Sequence, residues 1–105
     1  MGLKDTPANN PHLAARKRAL FKAIISLDCV EDCERFLNDL CTPAELAAMA
    51  DRWAVVRLLE KEIPYRQIQH ETAVSTATIT RVARALYHGE GGYRGVLENL
   101  KGDAR

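Results

Sequence analysis

Apolar side chains recur along this chain at intervals of three and four, the period of helices with one side turned to a core. Over residues 12–27 the apolar positions Leu13, Leu20, Phe21, Ile24, Ile25 and Leu27 follow that spacing, with Arg16, Lys17 and Lys22 between them. Val30, Cys33, Phe36, Leu37 and Leu40 repeat it over residues 30–40. The acids that open this second segment suit the positive end of a helix dipole. The stretch CTPAELAAMADRWAVVRLLEKE carries a strong start signal for a third helix. Thr42 can cap it, Pro43 fits the first turn, and Glu45 stands where a capping box needs it. Leu46, Met49, Trp53, Val56, Leu58 and Leu59 form its expected apolar side. Ile63-Pro64 ends it, because the residue before a proline avoids the α region. A short fourth helix is predicted over 65–72, a fifth over 75–88, and a last one over 93–101 after Gly89, Gly91 and Gly92. No segment alternates in the manner of a strand, so the fold class is all-α with six helices. The polar residues from Met1 to Pro11 are expected to form a disordered arm.

The fourth and fifth segments, YRQIQHETAVSTATITRVARAL, have the layout of a helix-turn-helix. Ile68 faces inward on the first helix. Ala73, Val74 and Ser75 make the turn, with Val74 as an apolar plug. Ser75 can cap the second helix by accepting from a backbone N–H. Ile79, Val82 and Leu86 anchor that helix to the core, which leaves Thr76, Ala77, Thr80, Arg81 and Arg84 on its open side. This surface suits DNA. Small side chains let the backbone approach base edges, Thr can meet a base edge or a thymine methyl, and Arg can reach guanine or a phosphate. Arg66, at the start of the preceding helix, is placed for contact with the DNA backbone. Two positions depart from the usual motif. Ala73 stands where a left-handed residue, often Gly, is needed, at a cost of about 1 kcal/mol. Gln69 stands where a small residue often makes the tight helix contact, and is expected to point outward. The DNA-binding residues are therefore Arg66, Gln69, Ser75, Thr76, Ala77, Thr80, Arg81 and Arg84.

Charge adds to this picture through its distribution, since the net value is only +1. Lys4, Arg16, Lys17, Arg18 and Lys22 face only Asp5 in residues 1–27, whereas residues 28–51 hold seven acids against Arg35. The C-terminal half is again basic, so one face can meet a polyanion while another does not. The Arg16-Lys17-Arg18 cluster reads as a wet helix face, His70 as a solvated side chain, and Trp53 as core or interface. Cys29 and Cys33, four apart, would share one helix face; with Cys41 they lack the spacing of a structural zinc site and read as small buried thiols, the alternative being a metal or redox sensor. No apolar run approaches the roughly 20 residues that span a bilayer. Nor does the N-terminus have the order of a secretory signal, so a cytoplasmic location is expected. No Ser/His/Asp or Cys/His set, phosphate-cradling loop or metal-ligand cluster is present, and an enzyme is not expected.

CTPAELAAMADRW and STATITRVARAL, together with the ending HGEGGYRGVLENL, resemble the Trp-repressor-like proteins, specifically their YerC/YecD-type branch. The likeness runs from about Leu13 to Leu100. It implies a six-helix protomer and an intertwined homodimer that binds double-stranded DNA. On that reading residues 12–63 form dimerisation helices, 64–88 the DNA-reading head, and 89–105 a C-terminal helix that completes the dimer core. The resemblance also implies an effector pocket at Thr42, Arg52, Arg81, Val82 and Ala85. Arg52 and Arg81 match the two arginines that hold an indole, and Thr42 matches a threonine of that pocket. Val82 and Ala85 depart from the tryptophan-binding pattern, which has Gly and Ser there. A branched side chain takes space that the indole needs, and the lost hydroxyl removes an anchor for the amino group. Tight tryptophan binding is not expected: either the protein acts without an effector or it senses another small molecule, and no cofactor is implied. A transcriptional repressor acting on a palindromic operator is the leading expectation. The alternative is a helical module that binds a protein with the same head.

Overall fold

The computed structural model describes residues 10–103, which form six α-helices: α1 Pro11–Ile25, α2 Val30–Leu40, α3 Pro43–Glu60, α4 Tyr65–Thr72, α5 Thr76–His88 and α6 Gly92–Asp103. No strand occurs among the described residues. The chain divides into two compact units, one ending at Thr42 and the other beginning at Pro43.

In the first unit, α1 starts earlier than its apolar pattern implies. Asn10 accepts a hydrogen bond from the backbone N–H of His12 at 2.9 Å, and Pro11 is the first helical residue. Proline there has its φ already set and gives up an N–H that has no partner in any case. Asn10 and Pro11 thus cap a helix and do not belong to an arm; the rest of the expected arm lies outside the described residues. The helix also ends two residues before Leu27, with the Ser26 hydroxyl donating to the Ala23 carbonyl at 2.6 Å. Neither α1 nor α2 buries a residue. Ile25 is 81% exposed, Val30 77% and Phe21 54%. Cys29 is likewise exposed, and Cys33 and Cys41 are half-buried. The expectation of buried thiols fails for Cys29 because it sits outside the helix as its N-cap, with extended backbone. Arg35 pairs with Asp32 one turn earlier on α2.

The second unit has a continuous core. Val55, Val56 and Leu59 from α3 meet Ile68 from α4, Val74 from the turn, Ile79, Val82, Ala83 and Leu86 from α5, and Leu97 from α6. Full burial of an aliphatic side chain of this size stabilises by about 1.5–3 kcal/mol. The packing pairs are α3 with α4 and α5, α4 with α5, and α5 with α6. Within this unit α3 therefore supplies the floor on which α4 and α5 pack.

The buried face of α3 is shifted from the expected one. Val55 is fully buried, whereas Met49 is 37% exposed. Alanines and aliphatics surround much of α3, so spacing alone does not single out the covered side, and only its C-terminal half packs in the core. Trp53 is partly buried against this core, its ring 6.2 Å from that of Tyr93, with the Arg57 guanidinium 6.0 Å away. Arg57 also pairs with Glu60 at 3.5 Å. The helix stops at Glu60, before the Ile63-Pro64 break, and Glu62 adopts a left-handed φ of 61° as the chain turns toward α4.

Candidate nucleic-acid interface

The head is built by local hydrogen bonds around one turn. Pro64 precedes α4 with extended backbone, which directs the chain into the helix. Ile68, the residue of α4 that is fully buried, sets which side of the helix faces α3 and α5. At the far end Ala73 is left-handed, with φ 60° and ψ 16°, and its N–H donates to the Gln69 carbonyl at 2.8 Å. The alanine therefore does take up the strained conformation expected at that position, about 1 kcal/mol less favourable than for glycine. Thr72 offsets part of this cost. Its hydroxyl donates to the Ile68 carbonyl at 2.7 Å and accepts from the Val74 N–H at 3.1 Å. One side chain thereby ties the last turn of α4 to the residue beyond the kink. Thr72 did not stand out in the sequence, although a threonine just before a left-handed position is a usable signal.

Val74 is buried, as a plug between two helices must be. Ser75 is the N-cap of α5, and its Oγ accepts from the Thr78 N–H at 3.2 Å. The same hydroxyl donates to Thr78 Oγ1 at 3.1 Å. Such a cap stabilises by about 1 kcal/mol. It also fixes where the helix begins, and therefore which side chains stand on its first turn.

Along α5 the faces separate cleanly. Ile79, Val82, Ala83 and Leu86 are buried. Ser75, Thr76, Ala77, Thr80, Arg81 and Arg84 are exposed together, and α4 adds exposed Arg66 and Gln69. All eight sequence-selected DNA-binding residues are accordingly solvent-facing members of one compact unit. Gln69 points outward as expected. Arg66 lines a shallow cleft on α4 with Pro64, Gln67 and His70, and Gln67 is bonded to Glu71 at 2.8 Å. No acid pairs with Arg66, Arg81 or Arg84 among the described residues. The exposed side of the two helices thus offers cations, hydroxyls and methyl groups, with its carboxylate, Glu71, held by an amide.

Arg52 is half-buried in a cleft of about 220 Å³ lined by Ala48, Asp51, Val74, Ser75 and Thr78. Arg81 and Ala85 lie exposed on α5 and Val82 is buried in the core, and none of the three lines that cleft. Thr42 is the last residue of the other unit. Ala48, Asp51 and Thr78 had no distinguishing sequence signal. No group of three or more His, Cys, Asp or Glu side chains able to hold a metal occurs among the described residues. No helix among them is long and apolar enough to cross a membrane.

Comparison with known proteins agrees with this architecture. The family model described as Trp repressor protein matches residues 15–101. The uncharacterised YerC protein of Bacillus subtilis strain 168 is 44% identical over 82 residues, covering 78% of this chain and 79% of its own. The Trp operon repressor homolog of Actinobacillus succinogenes is 43% identical over 54 residues, covering 50% of this chain and 54% of its own. A crystal structure of a candidate Trp repressor from Staphylococcus aureus superposes with a TM-score of 0.78 at 36% identity, covering 83% of this chain and 87% of that one. A TrpR-like protein from Eubacterium eligens gives 0.77 at 34% identity, covering 89% and 92%. With the helix order, the capped turn and these likenesses in agreement, the chain belongs to the Trp repressor family, whose members are regulatory DNA-binding proteins and not enzymes.

Proposed function

We propose that this chain is a sequence-specific transcriptional repressor that occupies a partly palindromic operator as a homodimer. The observation that carries this reading is the separation of faces on α5. Its buried side is held by Ile79, Val82, Ala83 and Leu86, and its open side presents Thr76, Ala77, Thr80, Arg81 and Arg84 from a start fixed by the Ser75 cap. In a head of this kind the second helix enters the major groove while the first crosses the backbone. Thr76, Ala77 and Thr80 then approach base edges and thymine methyls, Arg84 reads a base, and Arg66 holds a phosphate. Repression follows from occupancy alone and requires no chemistry.

The dimer is supported by the exposed apolar side chains of the first unit, among them Phe21, Ile24, Ile25 and Val30. A patch of this kind on a soluble helix marks an interaction surface. A second copy supplies the matching one, and a twofold dimer presents two heads to two half-sites about one helical turn apart.

Tryptophan is not the effector in this reading. Val82 is buried and stands where the tryptophan-binding pattern has Gly, and Ala85 offers no hydroxyl where that pattern has Ser. Titration calorimetry with L-tryptophan is expected to show no binding in the micromolar range, and micromolar affinity overturns that part of the proposal. The DNA reading is tested by titrating a mixed duplex at increasing salt. Contacts to phosphates release counterions, so affinity is expected to fall steeply and linearly on logarithmic axes. Salt-independent binding, or none, favours a head that binds protein.

A further inference from the structure

The last turn of α5 is held from outside the helix. A helix leaves its final four carbonyls without internal partners. In α5 the Ala85 carbonyl is met by the Gly89 N–H at 3.0 Å, and the Leu86 carbonyl by the Nε of Arg94, from the first turn of α6, at 3.1 Å. The guanidinium of Arg94 also lies 5.7 Å from the ring of Tyr87. One α6 side chain thus grips two consecutive residues of α5, and its charge complements the negative end of that helix. The approach is made close by Gly89, where a Cβ would collide with the Ala85 carbonyl oxygen, and by Gly91, which is left-handed at φ 86°. Arg94 forms no ion pair among the described residues, although Glu60 and Glu62 line the same small cleft. Its donor is committed to the carbonyl. Leu97, one turn further along α6, is buried in the core and anchors the element that carries Arg94.

We propose that Arg94 is a positioning residue for base reading: it pins the C-terminal end of α5 to α6, so that Arg81 and Arg84 stand at a fixed distance from the groove. This inference rests on the DNA-binding reading above. The N-terminal end of α5 is already fixed by the Ser75 cap and the Val74 plug. With its C-terminal turn free to fray, the helix would still carry its charges to DNA, but the arginines nearest that turn would lose the constancy of position that base reading needs.

The test uses the full chain with two readouts. The first is amide hydrogen exchange without DNA. Arg94→Ala is expected to speed exchange at Tyr87, His88 and Gly89 about tenfold, with the amides of Ile79 and Thr80 unchanged. Unchanged exchange at Tyr87 to Gly89 overturns the proposal whatever the protein binds. The second is affinity for an operator recovered from a random duplex library, set against affinity for a scrambled duplex over a salt series. Arg94→Ala is expected to lose about tenfold on the operator and under about twofold on the scrambled duplex, with the salt slope unchanged. Arg94→Lys keeps a donor and the charge, and is expected to recover most of the loss. Tyr87→Leu removes only the ring contact and is expected to lose about threefold. Should Arg94→Ala fail to fold, these two milder variants decide the matter by the same two readouts. A lower salt slope with equal loss on both duplexes makes Arg94 a phosphate contact and overturns the proposal. Unchanged operator affinity in a folded variant leaves it a purely structural residue and also overturns it. Failure of the unaltered protein to enrich any duplex removes the DNA reading itself, and with it this role, before a variant is made.

Discussion

Residues 10–42 and residues 43–103 both place Leu, Ile and Val at helical spacing, with opposite results. The second unit closes a core in which Val55, Val56, Ile68 and Ile79 are wholly buried. The first buries nothing, and leaves Phe21, Ile24, Ile25 and Val30 open to solvent. Periodicity makes a helix amphipathic but does not say what covers its apolar side. In the second unit the cover is supplied by short connections that fold α4, α5 and α6 back on α3. In the first, under the proposed dimer, it comes from another chain. The helix-turn-helix thus stands on a self-contained core, while α1 and α2 leave their apolar side chains open.

The largest effects should break the first side of that contrast. Ile68→Ala or Ile79→Ala is expected to cost about 2–5 kcal/mol in urea unfolding, from lost transfer energy and the cavity left behind. A charge on the open face of the first unit acts differently. Ile25→Asp is expected to leave the helix content of the second unit intact while weakening self-association about tenfold or more, read by sedimentation across concentrations. Unchanged self-association removes this face from the dimer.

Next come the substitutions that sharpen the division of labour within the head. Thr80→Ala and Arg84→Ala are expected to weaken operator binding by about 1–3 kcal/mol each while sparing nonspecific binding. Arg66→Ala should weaken both alike and lower the salt slope by about 1. Equal losses at all three positions would mean that none of them reads a base.

The smallest effects lie in the turn. Ser75→Ala is expected to cost about 1 kcal/mol by thermal unfolding, since the Thr78 N–H loses its partner. Ala73→Gly goes the other way. It relieves the left-handed alanine at the expense of a more flexible unfolded chain, and a net gain below about 1 kcal/mol is expected.

What the sequence made legible was mostly local. Ser75 and Pro43 mark helix starts, and Ile63-Pro64 a helix end, because capping and proline geometry act within a few residues. The left-handed turn at Ala73 and the plug at Val74 follow from the spacing of one short motif. The open face of α5 was legible too, since Ile79, Val82 and Leu86 define its complement. Two kinds of feature stayed hidden. The limits of the covered side of α3 could not be set while alanines and aliphatics encircle it: Val56 and Leu59 were expected inside and are buried, but Val55 went unnoticed and Met49 was expected inside. Arg94 was invisible because its partner is a backbone carbonyl eight residues earlier, which no side-chain pattern records. The cysteines misled for a related reason: the spacing of Cys29 and Cys33 implies a shared helix face, but Cys29 is already outside the helix.

The claim at the centre of this account is that the head reads DNA as half of a symmetric pair. Selection of bound sequences from a random duplex library, at near-physiological salt and without added amino acids, tests it most directly. The account predicts enrichment of a palindrome whose half-sites lie about one helical turn apart. An enriched set without symmetry would contradict the dimeric reader, and no enrichment with or without added amino acids would contradict the claim that this head reads DNA.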